Sequence, residues 1–417
     1  MHVFTQLFLF ALALGTVIQI WLLWRHQQHI SSHRSQVPAA FADSISLEEH
    51  QKAADYNIAR IKAGRFELLL GTGLLLFWTL GGGLNLLSQA MQSIDLDPLM
   101  RGSIFVLTAF FIMGLLDLPI SAWRTFTLES RFGFNRTTPT RFIIDILMQS
   151  ALMLAIGGPL VWIILWIMGS VGSLWWLAAW AVWISFTLLL TWAYPTFIAP
   201  LFNTFKPLDD AELRECIQQL LTRCGFSSNG IFVMDGSRRS SHGNAYFTGL
   251  GKSKRIVFFD TLLESLSVDE MEAVLAHELG HFKRKHVLKR MLSMSLLSLG
   301  GMALLGWLTQ QDWFYTALGM EQASNAAALL LFLLVIPVFS QFMQPFSTWR
   351  MRRQEFEADD YAIDQASPEA MIQALVKLYR DNASTLTPDP FYSAYHDSHP
   401  PAPVRISHIA ASIKASA

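Results

Sequence analysis

Long apolar runs separated by polar stretches dominate this chain. A helix needs about 20 apolar residues to cross a bilayer, and seven runs approach or exceed that length. They predict membrane helices at 3–24, 68–90, 103–123, 147–168, 174–194, 291–308 and 326–342. The sixth run is short, which suits a tilted or interfacial helix, or one extended at its ends. The first lacks a basic leading segment and is too long for a signal peptide, so an uncleaved anchor is expected.

The polar stretches carry helix and strand signals. Two capping boxes, in which Ser and Glu stand three residues apart, predict helix starts at Ser46 and Ser267. The first helix is amphipathic and is expected to end near Ala63, and the second runs without proline to His286. Prolines after the fifth apolar run mark the start of a soluble segment. Its predicted elements are a helix at 209–224 and short strands at 230–234 and 255–259.

Composition indicates an integral membrane protein. Hydrophobic residues make up 52% of the chain and charged residues only 15%, with a mean hydropathy of +0.34, whereas a soluble domain is usually about a quarter charged. The net charge of −1 gives no reason to expect a polyanionic partner, and no basic stretch has the interleaved aromatics of a nucleic-acid surface. Cys216 and Cys224 are too few for a disulfide framework and are expected to be reduced.

The basic residues predict the orientation of the chain. With the N-terminus outside and seven alternating spans, Arg101 stands alone in an outer loop and the other 30 of the 31 Lys and Arg lie inside. The positive-inside rule favours this arrangement. Six spans would place residues 195–290 and the C-terminal tail on opposite sides of the membrane, and the charge bias opposes that alternative.

The strongest chemical signal is the motif His277-Glu278-Leu279-Gly280-His281. Histidines four residues apart share one face of a helix, so both rings can reach one Zn²⁺. Glu278 then lies beside the metal, where a carboxylate can take a proton from the attacking water. The pattern also arises by chance, and the alternative is a pair of surface histidines on an amphipathic helix.

A hydrolytic zinc site has three protein ligands and one open position, so a third ligand is needed. Glu355 and Asp359 share a helix face just inside the seventh span. Glu355 is expected to bind the metal and Asp359 to accept a hydrogen bond from a ligand imidazole. Glu357 points to another face and is the weaker candidate; a solvated charged helix is the alternative. The 73 residues between His281 and Glu355 contain spans six and seven, which predicts a site at the membrane boundary.

Two other segments could complete the site. Residues 241–247 precede a predicted turn and strand, and an edge strand near the metal could bind an extended peptide through its backbone. In the loop at 395–401, His399 could donate a hydrogen bond to a developing oxyanion. The alternatives are an ordinary hairpin and a solvent-exposed histidine.

With these residues the chain resembles the integral-membrane CaaX prenyl protease family, zinc endopeptidases that cut isoprenylated proteins near their C-terminus. The matching stretches occur in order over roughly residues 46–409. They are ESRFGFNR at 129–136, APLFN at 199–203, SHGNAYFTG at 241–249, HELGH at 277–281, EFEAD at 355–359, and SHPP at 398–401 with Arg405. The resemblance implies about seven helices around a chamber and a zincin-like cytoplasmic catalytic domain with a small β-sheet.

The resemblance also implies a role for each matching residue. Asp359 matches a position often assigned as proton donor, although support of a zinc-bound imidazole is the physically safer role. His399 and Arg405 would face the scissile carbonyl. The implied site consists of one Zn²⁺ held by His277, His281 and Glu355, the general base Glu278, the further catalytic residues Asp359, His399 and Arg405, and the substrate-binding residues Asn244, Ala245 and Tyr246.

Four regions are expected along the chain. They are a membrane domain at 1–194 with five spans and cytoplasmic loops at 26–66 and 124–146, a cytoplasmic catalytic domain at 195–290, spans six and seven at 291–343, and a cytoplasmic C-terminal part of the catalytic domain at 344–417.

The substrate is the least determined property. The expected partners are the lipid bilayer and a peptide or membrane-associated protein, prenylated in the family's case; no nucleic acid is expected. The short loops favour a bacterial inner membrane, where a misfolded or membrane-associated peptide is the expected substrate. A quality-control protease without prenyl specificity is the alternative enzyme. A zinc-containing transporter or scaffold is the non-enzymatic alternative, although a structural zinc site is normally closed by four protein ligands.

Overall fold

Helices form most of the molecule. The computed structural model describes residues 1–228, 230–248 and 255–416. The first part of the chain folds into α1 (Val3–His33), α2 (Leu47–Trp78), α3 (Gly83–Gln92), α4 (Pro98–Trp123), α5 (Ser130–Phe132), α6 (Pro139–Leu152), α7 (Gly158–Ser170), α8 (Trp175–Ala193) and α9 (Ala199–Phe202).

The second part combines a small sheet with further helices. Its strands are β1 (Phe205–Pro207), β2 (Ile231–Met234), β3 (Ala245–Thr248) and β4 (Arg255–Phe259). Its helices are α10 (Ala211–Cys224), α11 (Asp260–Leu263), α12 (Val268–Lys283), α13 (His286–Leu308), α14 (Asp312–Thr316), α15 (Asn325–Ser340), α16 (Gln344–Gln365), α17 (Pro368–Asp381), α18 (Pro390–His396) and α19 (Ala402–Ser416).

The number of membrane helices agrees with the apolar pattern. Six helical segments of the described chain are long and apolar enough to cross a membrane, and a seventh is added if α2 and α3, bent by 45°, form one broken span. The prediction of a mainly α, polytopic protein with about seven spans is confirmed. The expected end of α2 near Ala63 is wrong, because no proline separates the polar helix from the apolar run and one helix continues to Trp78.

The membrane helices are apolar on their outward faces as well as between them. Phe8, Val106 and Leu330 are buried where helices pack on one another. Leu296 and Leu297 of α13 are instead about 70% exposed. Apolar side chains exposed on this scale indicate a surface that lies against lipid.

Within the described part of the chain, the sheet has four strands in the order β1-β2-β4-β3. The central pair, β2 and β4, is parallel, and β1 and β3 join antiparallel at the edges. The predicted strands at 230–234 and 255–259 correspond to β2 and β4. The predicted helix at 209–224 corresponds to α10, which Asp210 caps by accepting a hydrogen bond from the Leu213 amide. The turn predicted before the strand at 255–259 lies outside the described residues, as does Gly249 of the matching stretch.

The helix that carries the motif ends earlier than predicted. It stops at Lys283 rather than running to His286, because Lys285 adopts a left-handed backbone conformation with φ of 58°. That residue turns the chain, and α13 begins at His286 with its ring buried. The turn brings the His286 ring back beside α12.

Two close contacts join α12 to neighbouring helices. A Cβ at Gly280 would lie only 3.0 Å from the Ala358 Cα of α16, so the two helices approach each other closely there. The Glu270 carboxylate of α12 accepts a hydrogen bond from Lys377 of α17 at 2.7 Å. Helices α12 and α16 therefore form the rigid frame of the site.

Candidate active site

The N-terminal cap of α12 fixes where its histidines lie. The Ser267 hydroxyl accepts from the Glu270 amide at 3.3 Å, and the Glu270 carboxylate accepts from the Ser267 amide at 2.7 Å. This reciprocal cap satisfies two amides that the first turn leaves without helical partners. From this start, His277 and His281 fall one turn apart on one face of the helix.

Three side chains from two helices converge on one point. The Nε2 atoms of His277 and His281 are 3.2 Å apart. The two carboxylate oxygens of Glu355 each lie 3.3 Å from one of these nitrogens. Within the described residues, these three form a group whose ligand atoms all lie within 4.8 Å of one another. Glu355 is buried, as is His277.

A buried ion pair orients the His277 ring. Asp359 is fully buried, and its carboxylate lies 2.8 Å from His277 Nδ1. Two nitrogens of the Arg405 guanidinium donate hydrogen bonds to the same carboxylate, at 2.9 and 2.5 Å. Because Nδ1–H donates to Asp359, the lone pair of Nε2 remains free to point towards Glu355. Arg405 is buried, and one of its nitrogens also lies 3.2 Å from His277 Nδ1, so in this arrangement it supports Asp359 and the His277 ring.

A second chain of contacts, which the sequence does not predict, orients the His281 ring. His286 Nε2 lies 3.0 Å from the Glu357 carboxylate, and His286 Nδ1 lies 2.9 Å from His281 Nδ1. A neutral His286 that donates to Glu357 must accept at Nδ1, so His281 donates there and keeps Nε2 free. Glu357 is a weak candidate in the sequence because it faces away from Glu355, and no short-range pattern links it to a residue 71 positions earlier.

Electrostatics favour neutral, metal-binding imidazole at His281. Burial, together with the neighbouring His277 ring, lowers the pKa of His281 to about 4. Its ring is therefore neutral at physiological pH, the form that binds metals.

Glu278 and His399 border the open side of the group. Burial raises the pKa of the Glu278 carboxyl, and no described side chain hydrogen-bonds to it, so its oxygens are available to a water molecule. His399 Nδ1 lies 2.7 Å from Glu355, while 64% of the His399 side chain is exposed. Its second ring nitrogen can therefore point to solvent or to a bound substrate.

The three expected substrate-binding residues lie at the start of the edge strand β3. Asn244 is exposed, and its carbonyl accepts from the Phe259 amide at 2.9 Å. Ala245 faces the apolar core that includes α12. The Tyr246 side chain points the other way, with its hydroxyl 3.9 Å from the Met234 sulfur. The structure thus places the Ala245 side chain, but not the Tyr246 ring, on the face of the sheet that packs on α12.

Two family models match adjacent parts of this chain, and both describe the same protease family. A family model described as the CAAX prenyl protease N-terminal domain with five membrane helices matches residues 26–204, and the model of peptidase family M48 matches 207–413. The chain belongs to the CAAX prenyl proteases of peptidase family M48. It is thus a membrane zinc metalloprotease, as the resemblance implied.

Individual relatives extend over nearly the whole chain. The CAAX prenyl protease 1 homolog of Dictyostelium discoideum is 34% identical over 90% of this chain and 89% of its own. CAAX prenyl protease 1 of Saccharomyces cerevisiae is 32% identical over 91% and 89%. The crystal structure of S. mikatae Ste24p superposes with a TM-score of 0.91 at 30% identity, covering 98% of this chain and 99% of that one.

The donor atoms fit the metal that M48 peptidases carry. A tetrahedral Zn²⁺ with ligands at about 2.0–2.1 Å requires those ligands to be about 3.3 Å from one another. The Nε2 atoms of His277 and His281 are 3.2 Å apart, and each lies 3.3 Å from a different carboxylate oxygen of Glu355. Two imidazoles and one carboxylate also leave one of the four positions open, which is typical of a catalytic rather than a structural site.

Proposed function

We propose that this chain is a zinc endopeptidase that cleaves prenylated proteins near their C-terminus at the cytoplasmic face of the membrane. The observation that supports this most directly is the convergence of the donor atoms of His277, His281 and Glu355 within 4.8 Å of one another. The substrate class follows the relatives, whose names state CAAX prenyl protease activity.

Each residue of the site has a separate role in the proposed hydrolysis. One zinc ion held by His277, His281 and Glu355 would polarise the scissile carbonyl and acidify water. Glu278 takes the proton of the attacking water and passes it to the leaving amine. Because the Glu355 carboxylate accepts from His399 Nδ1–H, the exposed Nε2 donates to the oxygen on which negative charge develops only from the doubly protonated ring.

Asp359, Arg405 and the edge strand support these steps without taking part in proton transfer. Asp359, held by Arg405, keeps the His277 ring in the tautomer that offers Nε2. An extended substrate aligns as an added strand along the free edge of β3 at Ala245, whereas the Asn244 carbonyl already pairs with Phe259 of β4. No substrate contact is proposed for Tyr246, because its side chain faces the opposite side of the sheet and its backbone, opposite Val257, faces β4.

The substitution Glu278→Gln tests the catalytic assignment. It should keep the fold and the zinc content and lower cleavage of a farnesylated CaaX peptide by at least about a hundredfold, since general acid–base catalysis contributes 10²–10⁴-fold. Glu272→Gln is the matched control, because Glu272 lies on the same helix and pairs with Arg223 at the surface. Retained cleavage in Glu278→Gln would remove Glu278 from the mechanism.

The same assay separates prenyl specificity from general proteolysis. A farnesylated CaaX peptide should be cleaved faster than an unmodified peptide of the same sequence. Equal rates would favour the alternative of a quality-control protease for membrane peptides.

The proposed orientation places the active site in the cytoplasm and Arg101 on the opposite side. It is supported by the distribution of Lys and Arg. In a background without Cys216 and Cys224, a cysteine at exposed Ser93 should react with an impermeant maleimide from outside, and one at exposed Ser407 only from inside. The reverse labelling would invert the proposal. A bacterial inner membrane stays a prediction, since the relatives named above are eukaryotic.

The predicted domain boundaries are retained as part of the proposal. The two matched family segments meet between residues 204 and 207, close to the expected start of the catalytic domain at 195. The enclosed chamber stays a prediction from the family resemblance.

A further inference from the structure

A polar cavity lies next to the active site. It has a volume of about 470 Å³, within the range of about 300–1,000 Å³ that suits small ligands. Its walls come from α1, α2 and the loop that ends at Pro401, and His399 lies in its lining. Because His399 also contacts Glu355 at 2.7 Å, the cavity opens directly beside the metal-binding group. We refer to it as the α2 cavity.

One face of α2 forms a wall of the α2 cavity. The residues that line it follow helical spacing, at i, i+3, i+4, i+7 and i+10, and are Asn57, Arg60, Ile61, Gly64 and Glu67. This spacing places their side chains in one stripe along the helix. At Gly64 a Cβ would meet no atom within 4 Å, so the cavity comes right up to the helix backbone.

The charges in the cavity leave one cation without an acidic partner. Arg124 pairs with the Glu67 carboxylate at 3.1 Å, so these two lining residues neutralise each other. The Arg60 guanidinium instead lies 5.5 Å from the centre of the Tyr56 ring and forms no ion pair with any described residue. Asp397 also lines the cavity, where burial raises the pKa of its carboxyl.

We propose that the α2 cavity binds the C-terminal segment of the substrate and that Arg60 pairs with its free α-carboxylate. This inference rests on the proposed function, in which the scissile bond lies near the end of the chain. A short leaving segment offers few side chains, but its carboxylate is always present and matches the planar donor fork of arginine. Three extended residues span about 10 Å, so the carboxylate of such a segment reaches a cavity adjoining the metal-binding group.

The test uses two peptides that differ only at the C-terminus. A farnesylated CaaX peptide with a free acid should have a kcat/KM about 10–100-fold above that of its C-terminal amide, the range of a charge-assisted contact. Arg60→Gln should remove this preference by slowing cleavage of the free acid, and Arg60→Lys should restore part of it. Lys62→Gln, on the same helix but outside the cavity lining, should retain the full preference.

A second pair of variants tests the cavity itself without changing charge. Gly64→Leu projects a side chain into the open space and should raise KM for the free-acid peptide. Gly71→Leu is the matched control, because Gly71 lies on the same helix with equal space around it but does not line the cavity. If the Arg60 variants fail to fold, comparison of KM between Gly64→Leu and Gly71→Leu still tests whether the substrate occupies the α2 cavity.

The outcomes distinguish this inference from the function it depends on. If the protein cleaves neither peptide, the proposed function fails. If it cleaves both equally and Arg60→Gln behaves as Lys62→Gln does, the function stands and the carboxylate site is wrong. Equal cleavage accompanied by loss of a co-purified phospholipid in Arg60→Gln, seen by native mass spectrometry, would assign the cavity to a lipid phosphate instead.

Discussion

At the scale of single residues, His286 is the part of the site with the least obvious role. Its Nδ1 accepts a hydrogen bond from His281 Nδ1–H, and its Nε2–H donates to the Glu357 carboxylate. His286→Ala should weaken zinc binding by about 10–100-fold, as is usual when the outer partner of a metal ligand is lost. Competition with a chelating dye measures this directly on purified protein.

The control for His286 is a second histidine on the catalytic part. His408 pairs with Asp360 at 2.6 Å, away from the metal-binding group, and His408→Ala should bind zinc as the native protein does. Glu357→Gln should shift zinc affinity in the same direction as His286→Ala but less, since the amide oxygen still accepts. Unchanged affinity in His286→Ala would show that the contact is not used.

Asp397 gives the chain a pH-dependent stability with a defined sign. Burial raises the pKa of its carboxyl in the folded state above the unfolded value near 3.9. Below about pH 3.9 the carboxyl is protonated in both the folded and the unfolded state and does not change the free energy of unfolding. As the pH rises from there through the folded-state pKa, the free energy of unfolding falls by about 1.4 kcal/mol per pH unit between the two pKa values. Asp397→Asn should therefore raise the unfolding midpoint at pH 7.5 and lose this gain on acidification.

Urea unfolding at several pH values, with the exposed Asp43→Asn as reference, checks the Asp397 prediction. The reference corrects for the general effect of removing one negative charge. A stabilisation by Asp397→Asn that is the same at all pH values would contradict a raised pKa.

At the scale of elements, the close approach of α12 and α16 makes Gly280 a sensitive position. A Cβ there would lie 3.0 Å from the Ala358 Cα, which is backbone and cannot rotate away. Gly280→Ala should lower the free energy of unfolding by about 1–3 kcal/mol, the usual cost of overpacking. It should also weaken zinc binding, because α16 carries Glu355.

The comparison for Gly280→Ala is Gly71→Ala on α2, where a Cβ meets nothing within 4 Å. That change should be neutral or stabilising by up to about 1 kcal/mol, because alanine is the better helix former. If both substitutions had the same effect on unfolding, the helix contact at Gly280 would not be tight.

Elements show how far the sequence could predict this fold. Local signals were sufficient where hydrogen bonds are local: the boxes at Ser46 and Ser267 give the starts of α2 and α12 correctly. They failed at the end of α12, because lysine rarely takes the left-handed conformation that Lys285 adopts. The pairing of His286 with Glu357 depends on how α13 meets α16, and no spacing along the chain encodes it.

At the scale of the whole molecule, the catalytic part is built on membrane helices rather than attached to them. Helix α16, which carries Glu355, continues from the last membrane segment, and α13 begins directly after α12. Arg25 of the first membrane helix binds Asp389, just before α18, at 2.9 Å. The M48 segment, residues 207–413, therefore includes the membrane helices α13 and α15.

This construction predicts that the metal contributes to the stability of the whole molecule. The proposed ligands join α12 to α16, and a ligand that binds only the folded state stabilises it by about 2.7 kcal/mol at 100 times its Kd. Chelation should therefore lower the unfolding midpoint of the native protein in detergent, and added Zn²⁺ should restore it. Glu355→Ala should already unfold near the lower midpoint and respond little to the chelator, whereas Glu278→Gln should respond as the native protein does. Equal shifts in both variants would place the stabilising metal away from His277, His281 and Glu355.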